Sequence, residues 1–258
     1  MSGGAFTRRG LVLGGAAAGG LLLAGCNRLS QAPQALHFVG EAEGLTRRAQ
    51  RLLLSGQPLA TEYRPSDISK VFKANGSIDP QDPTYRALAQ NDFTGWRLTI
   101  GGLVERPLSL SLAQLRALPA RTQITRHDCV EGWSAIGQWS GPQLGRLLLN
   151  AGLKPQARYV VFHCADNLGG TNDAFGKYYE SIDLFDAFHP QTLLAHSMNG
   201  APLTVAHGAP LRLRVERQLG YKQAKYVMAI EATDRLDHIA GGRGGFWEDR
   251  GYEWYAGI

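Results

Sequence analysis

The stretch RHDCVEGWSAIGQWSG, at positions 126–141, is the most informative part of the sequence. It places a thiol, Cys129, where a strand runs out into a loop, two residues after His127. On an extended chain these two side chains project to the same side, and nearby cations of Arg126 and His127 would favour the thiolate. The spacing alone leaves three interpretations open: a buried structural cysteine, a Cys–His nucleophile and a metal ligand.

The pattern of the surrounding sequence predicts an α+β fold. Helices are predicted over 45–54, over 111–118 with Ser111 as N-cap, from Ser140-Gly141-Pro142 to Gly152, and over 181–188. Strands are predicted over 96–100, 121–129, 159–164, 192–196, 202–206, 211–216 and 226–232, with a hairpin turn at Asn199-Gly200. No strand–helix repeat recurs, which argues against a doubly wound nucleotide-binding fold.

Composition excludes several classes of protein. The chain has 258 residues, 44% of them hydrophobic, and a formal net charge of +5 from 27 Lys and Arg against 22 Asp and Glu. That apolar fraction can form a core, so disorder is not expected. No apolar run reaches the roughly 20 residues of a spanning helix, which excludes a multi-span membrane protein. No Lys/Arg run is suited to a phosphate backbone, so no nucleic-acid partner is predicted.

The first residues have the pattern of an export signal. Arg8 and Arg9 form a twin-arginine pair, followed by a 14-residue apolar stretch, Leu11 to Ala24, that is too short to span a membrane. Leu23-Ala24-Gly25-Cys26 resembles a lipobox, in which Cys26 would be lipidated. We therefore expect a signal at 1–25, a polar tether at 26–40 and a folded domain at 41–258. The alternative is an ordinary secretory signal with a chance cysteine.

Two separated motifs carry a family resemblance. The Cys-Val-Glu-Gly-Trp-Ser motif that begins at Cys129, and the motifs at 208–213 (GAPLRL) and 220–225 (GYKQAK), resemble the sulfite-oxidase family of molybdopterin enzymes. The resemblance is strongest to its small exported bacterial members and covers most of residues 64–233. It implies a sulfite-oxidase-type molybdopterin-binding fold of mixed sheets and short helices, with Mo-molybdopterin as the cofactor.

The resemblance also implies the cofactor site. Cys129 would be the single protein thiolate on molybdenum, and Arg212 and Lys225 would contact the phosphate or pterin. Such a site needs cations and backbone amides on a rigid scaffold, although surface cations of this kind are ordinarily only solvated. The full set of implied cofactor contacts is Ser69, Phe72, Lys73, Asn75, Cys129, Cys164, His207, Arg212, Gln223, Ala224 and Lys225, with Gln223 and Ala224 contributing their main chain.

The sequence departs from the family pattern at three of these positions. Cys164 stands where a relative has threonine, and His207 where it has asparagine, although His207 could equally be an ordinary loop histidine. Residues 69–73 align with an asparagine followed by Tyr-Glu, and Asn75 is an alternative contact there. Because these positions surround one cofactor, substrate and redox potential could differ from those of the relative. Cys129 and Cys164 could also pair as a disulfide, but the context of Cys129 favours a metal.

The expected function is transfer of an oxygen atom to or from a small substrate, with Arg126 and His127 holding a substrate oxygen. No Cys-x-x-Cys-His motif for covalent haem occurs in the sequence, so electrons would be exchanged with a separate cytochrome. Only 25 residues follow Thr233, too few for the family's dimerisation domain, which predicts a monomer held to the membrane by its lipid alone. The alternatives are reduction of protein methionine sulfoxide with a haem membrane partner, a cofactor-free ligand-binding lipoprotein, and a Cys–His hydrolase.

Overall fold

The computed structural model describes residues 58–170 and 175–258. The expected signal, the tether, the helix at 45–54 and the start of the folded domain lie outside the described residues. The helices within them are α1 (Pro83–Gln90), α2 (Leu112–Ala117), α3 (Leu144–Ala151) and α4 (Leu184–Ala187). Short 3-10 turns lie at Pro65–Asp67, Val205–His207, Gly220–Lys222 and Glu248–Arg250. Among the described residues, no helix is both long and apolar enough to cross a membrane.

The strands form three sheets. They are β1 (Arg97–Gly102), β2 (Leu108–Ser111), β3 (Ala120–Asp128), β4 (Ser134–Pro142), β5 (Tyr159–Asn167), β6 (Lys177–Asp183), β7 (Leu193–Ala195), β8 (Ser197–Met198), β9 (Ala201–Pro202), β10 (Arg212–Arg214) and β11 (Val227–Thr233). The sheet orders are β2-β1-β11-β5-β6, β3-β4-β8-β9 and β10-β7. In the largest sheet β11 runs parallel to β1 and antiparallel to β5, which makes the sheet mixed. The α+β prediction is confirmed.

Local signals in the sequence explain two of the helices. Ser111 caps α2 by accepting a hydrogen bond from Gln114 N at 3.2 Å, while the Gln114 side chain accepts one from Ser111 N at 2.9 Å. The apolar face of α3 is buried in the core, and the helix ends at Gly152, whose φ of 71° is in the left-handed region. The turn at Asn199-Gly200 is confirmed as well, since both residues have positive φ between β8 and β9.

The structure corrects three predicted elements. Ser140-Gly141-Pro142 completes β4 instead of opening the predicted helix, which begins at Leu144 and ends before Gly152. Only half of 181–188 is helical, since β6 pairs with β5 through Asp183 and the helix is confined to Leu184–Ala187. The predicted strand at 202–206 ends at Pro202 and is followed by a 3-10 turn. In each case tertiary pairing overrides the local pattern.

Gly141 of β4 lies close against the backbone of β7, in the smallest sheet. A Cβ at this position would overlap the carbonyl of Leu194 in β7. We expect Gly141→Ala to lower the free energy of unfolding by about 2 kcal/mol, since backbone cannot move aside as a flexible side chain can. Gly101→Ala is the matched control, because a Cβ there meets nothing within 4 Å. Denaturant unfolding of both variants checks this, and a change below about 0.5 kcal/mol for Gly141→Ala would contradict the packing described.

Candidate functional site

The loop between β3 and β4 presents a thiol to a cavity. Cys129 N donates to Trp133 O at 2.9 Å, and Gly132 N donates to Cys129 O at 3.0 Å, with Gly132 at a φ of 83°. This tight turn places the half-buried side chain of Cys129 in the cavity wall. Burial raises the pKa of the Cys129 thiol, and the cations of Lys73 and Arg212 only partly oppose it. In the protein alone the thiolate is therefore not favoured, contrary to the expectation from its neighbours; a metal would deprotonate the thiol.

The two residues before this loop lie in different environments. Arg126 is exposed and pairs with Asp128 at 3.0 Å, and it lines a separate surface groove, not the cavity. His127 is fully buried, and Arg214 Nη1 donates to its Nδ1 at 3.1 Å. Burial and the cations of Arg212 and Arg214 hold the pKa of His127 well below its usual value. Because arginine is always the donor, the neutral ring carries its proton on Nε2.

The cavity has a volume of about 160 Å³ and is bounded by several parts of the chain. These are the segment at 75–77, the Cys129 loop, the end of β5 with Asp166, β6 with Tyr178, the turn at 220–225 and the C-terminal tail. Of the residues predicted from the sequence to contact a cofactor, four line it: Asn75, Cys129, Gln223 and Lys225. The structure thus brings residues that are up to 150 positions apart in the sequence to one wall.

Two buried cations lie at the polar end of this cavity. Lys225 is 5% exposed, and its Nζ donates to the carbonyls of Ser77 and Ala206. Arg212 is 0% exposed and lies behind Asn75, to whose Oδ1 it donates at 3.2 Å. Neither cation forms an ion pair with a carboxylate in the part of the chain that the structure describes. Burial, together with their mutual repulsion, lowers the pKa of Lys225 to about 7, and burial beside Arg214 lowers that of Arg212 to about 9.

Three further residues predicted to contact the cofactor, Ser69, Phe72 and Lys73, lie in the segment at 69–75, called here the early loop. They hold this loop against the rest of the domain and do not line the cavity. Ser69 is tied to β4, since its Oγ accepts from Ile136 N at 2.9 Å. Phe72 packs edge-on against Trp139 at 5.4 Å. Lys73 is exposed and pairs with Glu131 of the Cys129 loop at 3.0 Å. All three lie outside the cavity wall.

His207, Cys164 and Ala224 are also set back from the cavity. His207 Nε2 lies 3.1 Å from the carbonyl of Phe72, so it holds the same early loop. Cys164 is a free thiol, buried in β5, and burial raises its pKa well above the usual range. Because Cys129 is free as well, the possible disulfide between them is not formed. Ala224 is buried, and its carbonyl accepts a hydrogen bond from Leu213 N at 2.8 Å.

Several cavity residues had not been predicted from the sequence. Asp166 is 3% exposed with Oδ1 unpaired among the described residues, and burial raises its pKa to about 6. Its position two residues after Cys164 on a buried strand was the available signal, because a carboxylate inside an apolar run is rarely incidental. Other lining residues are Ser77, Tyr178, Tyr221, Trp247 and Tyr252, of which Tyr221 lies in the motif at 220–225 and the last two in the aromatic C-terminal tail.

Residues 85–238 match a family described as "Oxidoreductase molybdopterin binding domain". This chain belongs to that family. It is 36% identical over 253 residues to a protein of Azospira oryzae with the provisional name protein-methionine-sulfoxide reductase subunit YedZ1, covering 98% of this chain and 87% of that one. It is an enzyme, a molybdopterin-dependent oxidoreductase of the sulfite-oxidase family, as the resemblance implied, and its cofactor is Mo-molybdopterin.

Other relatives are matched over a smaller part of their length. The catalytic subunit MsrP of protein-methionine-sulfoxide reductase from Xanthomonas axonopodis is 34% identical over 171 residues, 63% of this chain and 52% of that protein. The chain thus spans about half of that relative. Among solved structures, the sulfane dehydrogenase SoxCD of Paracoccus pantotrophus matches with a TM-score of 0.49 and 26% identity over 55% of this chain and 39% of that one.

The residues at the cavity fit a molybdopterin. The guanidinium Nε of Arg212, Gln223 Oε1 and Asp166 Oδ1 are buried without hydrogen-bond partners of good geometry among the described residues, so donor and acceptor capacity is left for a polar ligand. The two cations now bond neutral acceptors, which a phosphate would replace with charged ones. Cys129 supplies one soft ligand for a metal. The cavity is smaller than the roughly 300 Å³ of typical ligand sites, so it accommodates only part of such a cofactor.

The buried charge of Lys225 can be tested in cofactor-free protein. Because the pKa of Lys225 falls to about 7 in the folded state, the unfolded chain binds more protons between pH 7 and 10, and this lysine makes the free energy of unfolding rise with pH there. We expect Lys225→Met to be more stable than the wild type at pH 7.5, with the difference shrinking by about 2 kcal/mol by pH 9.

Denaturant unfolding at the two pH values measures this difference. The matched control is Lys177→Met, since Lys177 is exposed and pairs with Asp82 at 3.4 Å; its difference from the wild type should not change with pH. A pH-independent difference for Lys225→Met would show that burial does not lower the pKa of this side chain in the folded protein.

Proposed function

We propose that the cavity at Cys129 is the catalytic site of an oxygen-atom transfer enzyme that acts on a small substrate. The observation that carries the proposal is the meeting, at a single cavity, of one thiol with two buried cations that form no ion pair with a carboxylate among the described residues. Asp166 lines the same cavity, and its charge favours the protonated form of Lys225. Of the two directions of transfer, reduction is favoured by relatives named as protein-methionine-sulfoxide reductases. The balanced reaction is sulfoxide plus two electrons and two protons giving thioether and water.

Each residue at or near the cavity is assigned a role according to its position. When bound, molybdopterin supplies a metal that exchanges two electrons and an oxygen atom with the substrate. Cys129 would be its protein ligand, and Lys225 and Asn75 would hold its phosphate or pterin, with Arg212 adding positive charge from behind. Neutral His127 would keep its proton on Nε2, held there by Arg214. Arg126 pairs with Asp128 outside the cavity, so we assign it no contact with substrate.

We further propose that the enzyme works in the cell envelope. The twin-arginine pair, the apolar stretch up to Ala24 and the lipobox at Cys26 support export and a lipid anchor. A separate cytochrome would then exchange the electrons with the enzyme, which we expect to be a monomer. The naming of the Azospira relative as a subunit supports the need for a partner.

Cys129 can be tested with two variants, Cys129→Ser and Cys129→Ala. Since the thiolate is the proposed protein ligand, we expect both to keep the fold but to lose sulfoxide reduction by about 100-fold or more. Activity is measured with a reduced viologen dye as the electron donor. Molybdenum and pterin per mole of protein are measured in parallel, together with thermal unfolding.

The outcomes separate the alternatives. Near-stoichiometric molybdenum in the wild type with inactive Cys129 variants supports the proposal, whereas normal turnover by Cys129→Ser rules it out. If the enzyme oxidises sulfite and does not reduce sulfoxides, the assignment of the catalytic site stands but the direction of oxygen-atom transfer is the opposite of the one proposed. Labelling of Cys129 by a thiol-reactive electrophile with turnover independent of molybdenum would favour the Cys–His hydrolase.

A further inference from the structure

The cavity has an aromatic side that cofactor binding does not explain. We define the aromatic wall as Tyr221, Trp247 and Tyr252, all of which line the cavity. Trp247 stacks on Tyr252 with ring centroids 5.2 Å apart, and Tyr252 meets Tyr221 edge-on at 5.3 Å. Trp247 and Tyr252 come from the C-terminal tail, beyond the residues 85–238 that match the family. Tyr221, by contrast, lies within the matched residues.

A buried ion network fixes the aromatic wall in place. Lys222, next to Tyr221, donates to Glu248, next to Trp247, and to Glu180, both at 2.5 Å. All three charged side chains are at most 1% exposed. Removing one partner of such a network leaves a buried charge unpaired, so the network holds the tail firmly against the domain. The wall is thus preformed and needs no closure to reach the cavity.

The aromatic wall offers ring surface more than hydrogen bonds. The Tyr221 hydroxyl already donates to the carbonyl of Glu253 at 2.6 Å. Tyr252 is 41% exposed and Val130, beside Cys129, is 44% exposed, and both line the cavity. Apolar groups therefore flank the thiol where the cavity meets solvent. A hydrated oxyanion would lose water here without gaining replacement hydrogen bonds.

We propose that the aromatic wall binds the carbon substituents of the sulfoxide, and that the S-methyl group of a methionine sulfoxide side chain lies against Trp247 and Tyr252. The inference rests on the proposed function and assigns specificity to the tail. Sulfur and its methyl group make favourable contacts with aromatic rings. The polar groups near Cys129 are then left to face the sulfoxide oxygen.

Binding can be measured without turnover. The probe is N-acetyl-methionine sulfoxide methylamide, added to oxidised holoenzyme without reductant, and the readout is saturation transfer from aromatic protons to the S-methyl protons. We expect clear transfer in the wild type and a dissociation constant raised about five- to tenfold in Tyr252→Ala. Tyr252→Phe keeps the ring and should stay within about twofold. Leu149→Ala, which removes an exposed apolar side chain of α3 outside the cavity, should bind as the wild type does.

Kinetics distinguish failure of this inference from failure of the proposed function. If the wild type reduces the probe, Tyr252→Ala should raise KM by the same factor and leave kcat nearly unchanged, because the ring holds substrate without touching the reacting oxygen. Unchanged KM and binding in both Tyr252→Ala and Trp247→Leu would overturn the subsite while the reductase activity stands. Saturation transfer to the S-methyl protons without turnover of the probe would overturn the proposed function but keep the subsite. Absence of saturation transfer in the wild type would overturn the subsite, whether or not the enzyme reduces the probe.

Discussion

The burial of Lys225 and Arg212 without carboxylate partners among the described residues is the constraint on which the site depends. A buried cation is stable only when charge or hydrogen bonds compensate it, and here Asn75, Ser77 and Ala206 give only neutral acceptors. An anion bound at this place would stabilise the fold as well as hold the cofactor. Of the two cations, Arg212 also opposes the rise in the pKa of Cys129, which links cofactor binding to the state of the metal ligand.

The ring of Trp139 in β4 packs against the guanidinium group of Arg212 and against that of its neighbour Arg214. Its ring is contacted by the guanidinium of Arg212 at 5.1 Å and by that of Arg214 at 4.3 Å. Arg214 in turn forms a two-point ion pair with buried Glu216 and donates to His127. Arg212 and Arg214 are thus both held against the ring of Trp139, and Arg214 is held by Glu216 as well. This explains why Trp139, ten residues after Cys129, matters to the site although it does not reach the cavity.

The sequence predicted the parts of the site that short motifs encode. Cys129, Lys225 and Gln223 lie in two such motifs, and all three line the cavity. Arg126 was misjudged because strand alternation places it on the outer face, where Asp128 pairs with it. Asp166 and the aromatic wall come together only through the pairing of β5 with β11 and the docking of the tail, which no local pattern reports. In the early loop the sequence offered several possible cofactor contacts and no distinctive motif. In the structure Asn75 lines the cavity, whereas Ser69, Phe72 and Lys73 do not.

The central claim is that Lys225 and Arg212, which form no ion pair with a carboxylate among the described residues, make the binding site for the cofactor's phosphate. Phosphorus NMR of the holoenzyme tests this claim. A free phosphate monoester has a second pKa of about 6, and cations of the protein in contact with it would lower that value. We predict that the phosphate resonance of the bound cofactor does not titrate between pH 5.5 and 7.5, and that titration returns toward about 6 in Lys225→Met. A resonance that titrates near pH 6 in the wild type would place the phosphate in solvent and contradict the account.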